Sequence, residues 1–185
     1  MRITKNLRPD QENISRFVAV LGGGSVILST TKHARPSFFI LAHSFMKDYI
    51  DEGFFKKEEV LIRILEEGGF PTESGPINAL HNDHKKSREA AEVLITAAKQ
   101  WQAGDELARA EVGWATSEYT STLRQHLERL KTLIFPLLEQ TITIDDEHKL
   151  SEELNKIIFE SALKDGAEKY IKVIEALEEE LSDWR

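Results

Sequence analysis

Four polar residues stand where helical periodicity asks for apolar ones. Glu58 falls one turn after Phe54 and one turn before Leu61 and Ile62. His84 falls one turn after Leu80, His126 lies between Leu123 and Leu130, and Gln11 lies between Leu7 and Ile14. All four would point into the interior of a helical protein. A buried carboxylate without partners is costly and is driven to take up a proton. Side chains of this kind on different helices are stabilised by meeting. Once together they either share a cation or neutralise one another.

The elements that position them are helices, because apolar residues recur with helical spacing almost throughout. A first helix is expected from near Pro9, with Asp10 and Glu12 at its positive end. Its stripe is Leu7, Gln11, Ile14, Val18 and Leu21. Gly22-Gly23-Gly24 should then bring a kink, a break or an unusually close approach of another backbone. A second helix is expected from Pro36 to about Glu67, before Gly68-Gly69, with Phe39, His43, Met46, Ile50, Phe54, Glu58, Leu61 and Leu65 facing inward. A third runs from about Pro76 to Gln102 and carries His84. A fourth runs from Asp105 to about Gln140, with a bend near Gly113 and a distortion at Pro136. Its stripe is Tyr119, Leu123, His126, Leu130, Leu133 and Leu137. Thr141 to Ile144 reads as an extended connection. Two shorter amphipathic helices, split around Asp165-Gly166, complete the chain. The expected fold is all-α: an antiparallel up-down four-helix bundle over residues 7–140, capped by two additional C-terminal helices over 145–183, in a single domain spanning 1–185.

Several segments, taken in order, resemble the motifs of the hemerythrin-like (HHE cation-binding) family. Asp10-Gln11-Glu12-Asn13-Ile14 is similar to the first-helix motif, with Gln11 at the histidine position. Phe54-Phe55-Lys56-Lys57-Glu58 is similar to the second-helix motif of His and Glu four apart. Phe54 stands for the His, and Glu58 is kept. The closest match is Gly75-Pro76-Ile77-Asn78-Ala79-Leu80-His81-Asn82-Asp83-His84, whose final His is a ligand in the family. Leu123-Arg124-Gln125-His126 resembles the fourth-helix motif, with Leu130 at the Glu position. The tail from Gly166 to Leu181 also looks like that of such proteins.

The resemblance implies a non-haem di-iron site at the bundle centre, serving oxygen binding, sensing, or peroxide and nitric oxide chemistry. Phe54 and Leu130 cannot donate to iron, and one bridging carboxylate is gone, so an ordinary di-iron centre is not expected. Glu58, His84 and His126 remain. Two histidines and a carboxylate are the ligand set of mononuclear non-haem iron sites and of some zinc sites. Gln11 would add a weak fourth oxygen ligand or orient a water. The expectation is therefore a degenerate metal site, holding one iron or zinc ion or none, in a non-catalytic binding or sensing module. The alternative is a mononuclear iron or zinc protein that senses oxygen, nitric oxide or redox state. Glu59, Asp83 and Glu128 lie off the inner stripes, so rescue of a second metal through them would require local unwinding.

Composition narrows the partners. A formal net charge of -8 repels nucleic acid and anionic lipid, so neither is an expected partner. The chain has no cysteine, which removes disulfides, thiolate metal sites and thiol nucleophiles. No apolar run approaches the roughly 20 residues of a membrane helix, and no signal-peptide pattern follows the N-terminal Met1 to Lys5, so a cytoplasmic location is expected. His81 reads as a partly exposed surface residue. His43 would lie about 16 Å from Phe54 along the helix, as a core or rim residue. Asp145-Asp146-Glu147-His148 reads as a helix start. Nothing in the residues names a protein partner or an oligomeric state.

Overall fold

The structure is a computed structural model that describes residues 2–30 and 33–185. Among them are six helices and no strand. Helix α1 is Arg2–Leu28. Helix α2 covers residues 36–67, in which a ten-residue π-helical segment, Phe45–Phe54, joins Pro36–Ser44 to Phe55–Glu67. Helix α3 is Gly75–Gln102. Helix α4 covers residues 108–141 and contains a second π segment, Leu130–Ile134. Helices α5, Ile144–Asp165, and α6, Ala167–Asp183, follow. Among the described residues, no helix is long and apolar enough to cross a membrane.

Local chemistry sets these boundaries. Arg35 is extended, as a residue before proline should be, and Pro36 opens α2 where its missing N–H costs nothing. Gly69, at φ 94°, supplies the left-handed turn beyond its end. The Thr143 hydroxyl accepts a hydrogen bond from the Asp146 N–H and caps α5, whose first turn carries Asp145, Asp146 and Glu147.

The start of α1 differs from the sequence expectation. The helix begins at Arg2, so Pro9 lies inside it. Proline there removes the bond to the Lys5 carbonyl, while the fully buried Leu7 anchors the preceding turn. Asp10 is consequently not a first-turn residue. It accepts hydrogen bonds from Tyr49 at 2.7 Å and Lys57 at 2.5 Å, both on α2.

The glycine triplet does not interrupt α1 either. It lets neighbours come close, and those neighbours are side chains rather than backbone. A Cβ at Gly22 would lie 2.8 Å from the Arg124 guanidinium, one at Gly23 2.8 Å from Leu181, and one at Gly24 2.7 Å from the Phe38 ring.

The π segments shift the inward face. Along α2 the buried stripe steps by four residues from Met46 through Ile50 and Phe54 to Glu58, which suits the wider π turn. In α4 the second π segment contains Thr132, whose carbonyl the ring of Pro136 would strike in a regular helix. The widened turn carries the buried face onward by one residue. Ile134 and Leu138 are therefore fully buried, while Leu133, expected inside, is exposed.

Helix α3 packs on α4 and on the first part of α2, and α1 packs on α4. Helices α5 and α6 lie against α1 and α2. Their hold is apolar: Leu150, Leu154, Ile174 and Leu177 are fully buried, and Trp184 packs on Phe38 with ring centroids 4.7 Å apart. The ion pairs at these seams, Arg16 with Glu178 and Arg63 with Glu153, are half-exposed and screened by solvent, so they add little. Ile158 and Leu163 of α5 stay exposed.

The glycine contacts predict a contrast measurable by urea denaturation. Gly24→Ala meets the immobile, fully buried Phe38 ring and should destabilise by about 1–3 kcal/mol. Gly22→Ala meets only the mobile end of Arg124 and should be neutral, or stabilise by up to about 1 kcal/mol through helix propensity.

Candidate metal centre

The second part of α2, the first half of α3 and the middle of α4 each deliver one buried polar side chain to the same place. Glu58, His84 and His126 are at most 1% exposed. One donor atom from each lies within 4.8 Å of the other two. The Glu58 Oε2 is 2.5 Å from His84 Nε2, and the His126 Nε2 lies 2.7 and 2.8 Å from the two Glu58 oxygens. Three of the four expected residues therefore converge.

Gln11 is the fourth. It is half-buried, and no hydrogen bond among the described residues ties it to the triad. Its neighbours Asp10 and Asn13 fasten α1 to Tyr49 in the π segment of α2.

A second layer of groups surrounds the triad. His126 Nδ1 is 2.9 Å from Asp83 Oδ2, and Arg129 donates to the same oxygen at 3.0 Å. On the other side, His84 Nδ1 lies 3.4 Å from Glu59 Oε1. Each imidazole thus directs one nitrogen at Glu58 and the other at a further carboxylate. Asp83 and Glu59 reach these places from regular α-helix, as neighbours of the imidazoles. Glu128, the third residue off the stripe, is exposed. The sequence signal for the layer was adjacency: Asp83 precedes His84 and turns toward α4, where Arg129 follows His126 by three residues.

The aromatic against the imidazoles is Phe55. Its ring stacks on His84 with centroids 4.0 Å apart and meets His126 edge-on at 5.5 Å. Phe54, the position matched to a family histidine, is buried in the core, as is Leu130. Phe55 also walls a cavity of about 240 Å3, bounded by Met46, Ala91 and Tyr119 and rimmed by the Arg88–Asp51 ion pair. His43, the core or rim residue, lines its far end.

Electrostatics follow from these contacts. Burial disfavours the charged form of His126, but the Glu58 charge and the Asp83 and Glu58 hydrogen bonds outweigh it and raise the group from 6.5 to about 9. Burial likewise pushes Glu58 up, yet the His126 charge and the hydrogen bonds from both imidazoles hold it below its ordinary value. Asp83 is held low against its own burial by His126 and Arg129. An anionic carboxylate pair thus brackets a cationic His126.

The hemerythrin HHE cation binding domain is the family whose model matches this chain, over residues 3–138. The chain belongs to that family. The match includes Glu58, His84 and His126 and stops short of α5 and α6, so the tail likeness read from sequence lies outside it. No curated protein and no solved structure matches the chain.

Two predictions concern the metal-free protein. The raised His126 contributes stability that is complete below 6.5 and is lost as pH climbs through about 9. The depressed Glu58 and Asp83 contribute stability that is complete above their ordinary values, 4.5 and 3.8, and is lost as pH falls through their lower folded values. Denaturation midpoints should therefore form a plateau between pH 4.5 and 6.5 and fall on both sides. Second, Glu58→Ala leaves two buried imidazoles without their shared partner and should cost about 3–5 kcal/mol in urea unfolding.

Proposed function

We propose that this protein is a mononuclear metal-binding module: Glu58, His84 and His126 hold one divalent transition-metal ion, in a binding or sensing role rather than in di-iron turnover. One observation carries the reading. The donors that survive in this chain stand together at one buried point, and each imidazole is backed by a carboxylate. Hydrogen bonding of the outer ring nitrogen to a carboxylate fixes the tautomer and orientation of a metal-binding histidine. Asp83, itself held by Arg129, is suited to do this for His126, whereas Glu59 faces the outer nitrogen of His84 at 3.4 Å without a hydrogen bond.

The donor set fits the ion. Two imidazoles and a carboxylate suit iron(II) or zinc and are a poor match for magnesium or calcium, which prefer oxygen. The three groups stand at hydrogen-bond separation, whereas ligands of one ion stand roughly 3 Å or more apart. Ligation would part them slightly and release the protons they share. An iron ion there would supply one-electron chemistry and affinity for small gases. Gln11 on α1, the fourth residue read from the sequence, would add at most a weak oxygen ligand. We take the scaffold to be a single domain over 1–185, with α1 to α4 as an up-down antiparallel bundle. The pairing of Arg109 with the Leu28 carbonyl, and of Ser25 with Ser117, supports the antiparallel setting of α1 and α4.

A second reading is a metal-free scaffold in which Glu58 simply neutralises the imidazoles. The 2.5–2.8 Å separations favour it. Elemental analysis of protein purified without a chelating column separates the two readings. The metal-binding reading predicts about one equivalent of iron or zinc per chain. Glu58→Ala or His84→Ala should abolish it, and Asp83→Asn should weaken affinity by about 10–100-fold. Less than about a tenth of an equivalent after reconstitution with either metal would leave only the metal-free scaffold.

A further inference from the structure

The cavity of about 240 Å3 beside Phe55 lies between α2 and α3, and Tyr119 reaches it from α4. Its apolar walls are Met46 and Phe55 from α2 and Ala91 from α3. Met46, Lys47 and Asp51, which line it, all belong to the π segment of α2. The wide π turn therefore shapes this cavity, and such turns gather at functional positions.

Its polar groups are few, and most are already engaged. Arg88 donates to Asp51 Oδ1 at 2.5 Å, and Lys47 stands 3.6 Å from the other oxygen. The Ser87 hydroxyl donates to the His84 carbonyl at 2.9 Å. Burial lowers His43, at the far end, below its ordinary 6.5. At the rim, Lys47 and Arg88 balance Asp51 and Glu92. Tyr119 is the exception. It is 2% exposed, yet among the described residues no hydrogen bond involves its hydroxyl. A buried hydroxyl without a partner is costly and uncommon. Burial and the Asp51 charge push this phenol well above 10, so it keeps its proton and can donate.

We propose that this cavity binds a small neutral aromatic molecule carrying one hydroxyl or carbonyl, of about the size of phenol, and that the Tyr119 hydroxyl recognises its polar group. An apolar cavity of roughly 150 Å3 takes up benzene, so this one holds a single ring with a substituent. The rings of Phe55 and Tyr119 and the Met46 thioether offer the contacts that aromatic molecules favour. A charged ligand would find no unpaired opposite charge inside and would lose its hydration. Neither Tyr119 nor Ala91 belongs to the triad, so the cavity takes its ligand with or without a metal there.

Phenol and benzene are the probes, followed by saturation-transfer NMR with the full chain. Both should bind the wild type and compete for one site. Tyr119→Phe keeps the ring and should weaken phenol by about five- to tenfold while leaving benzene unchanged. Ala91→Leu fills the cavity and should abolish binding of both. A wild type that binds neither probe would overturn the proposal. So would equal phenol affinity in Tyr119→Phe, because the hydroxyl would then recognise nothing. Retained binding in a folded Ala91→Leu would place the probes elsewhere and overturn it too. If Ala91→Leu does not fold, the contrast between phenol and benzene in Tyr119→Phe decides alone.

Discussion

A carboxylate with no access to water governs this protein. Glu58 is fully buried among the helices, and its charge is tolerable only because two imidazoles face it at 2.5–2.8 Å. That demand propagates outward. His126 must carry positive charge, so Asp83 is set against its other nitrogen, and Arg129 steadies Asp83. His84 turns its second nitrogen toward Glu59 at the edge of the bundle. From Arg129 through Asp83 and His126 to Glu58 the charges alternate across three helices, and the Phe55 ring walls the cluster. The same alternation makes the cluster a competent ligand set, because groups arranged to share protons can also share a cation.

The scaffold keeps these helices in register by means that have little to do with charge. Helices α5 and α6 clamp α1 and α2 through buried leucine, isoleucine and tryptophan. The glycine triplet of α1 lets Arg124, Leu181 and Phe38 approach that helix closely. The π segment of α2 ends immediately before Phe55 and thereby sets the phase in which Phe55 and Glu58 face α3 and α4. The π segment of α4 begins at Leu130, one turn after His126. Departures from α-helix thus flank the site on two helices, consistent with the tendency of π turns to occur at functional positions.

Much of this was legible in the sequence. A glutamate or histidine in the middle of an apolar helical stripe is conspicuous, and the stripes placed Glu58, His84 and His126 inside. The extents of α2 and α3, the extended link at Ile142-Thr143 and the division at Asp165-Gly166 followed from Pro, Gly and capping residues. What was not legible depends on tertiary contact. The π segments have no clear signature in composition, so Leu133 looked buried and Phe54 looked like the residue beside the histidines. Pro9 read as a helix start because nothing local revealed that Leu7 is fixed by packing. Asp83 and Glu59 lie beside the ligand positions rather than on the stripe. Only the crossing of α3 with its neighbours shows that they face the imidazoles. The triple glycine predicted a close approach, but not that arginine, leucine and phenylalanine side chains from three helices would make it.

X-ray absorption at the metal edge of protein reconstituted with iron(II) or zinc tests the central claim most directly, since it reads the ligands of the ion itself. The account predicts two imidazoles and one carboxylate at about 2.0–2.2 Å, with the imidazole signal reduced in His126→Ala. An oxygen-only shell, or a spectrum unchanged when Glu58, His84 and His126 are all replaced, would place the ion elsewhere and contradict it.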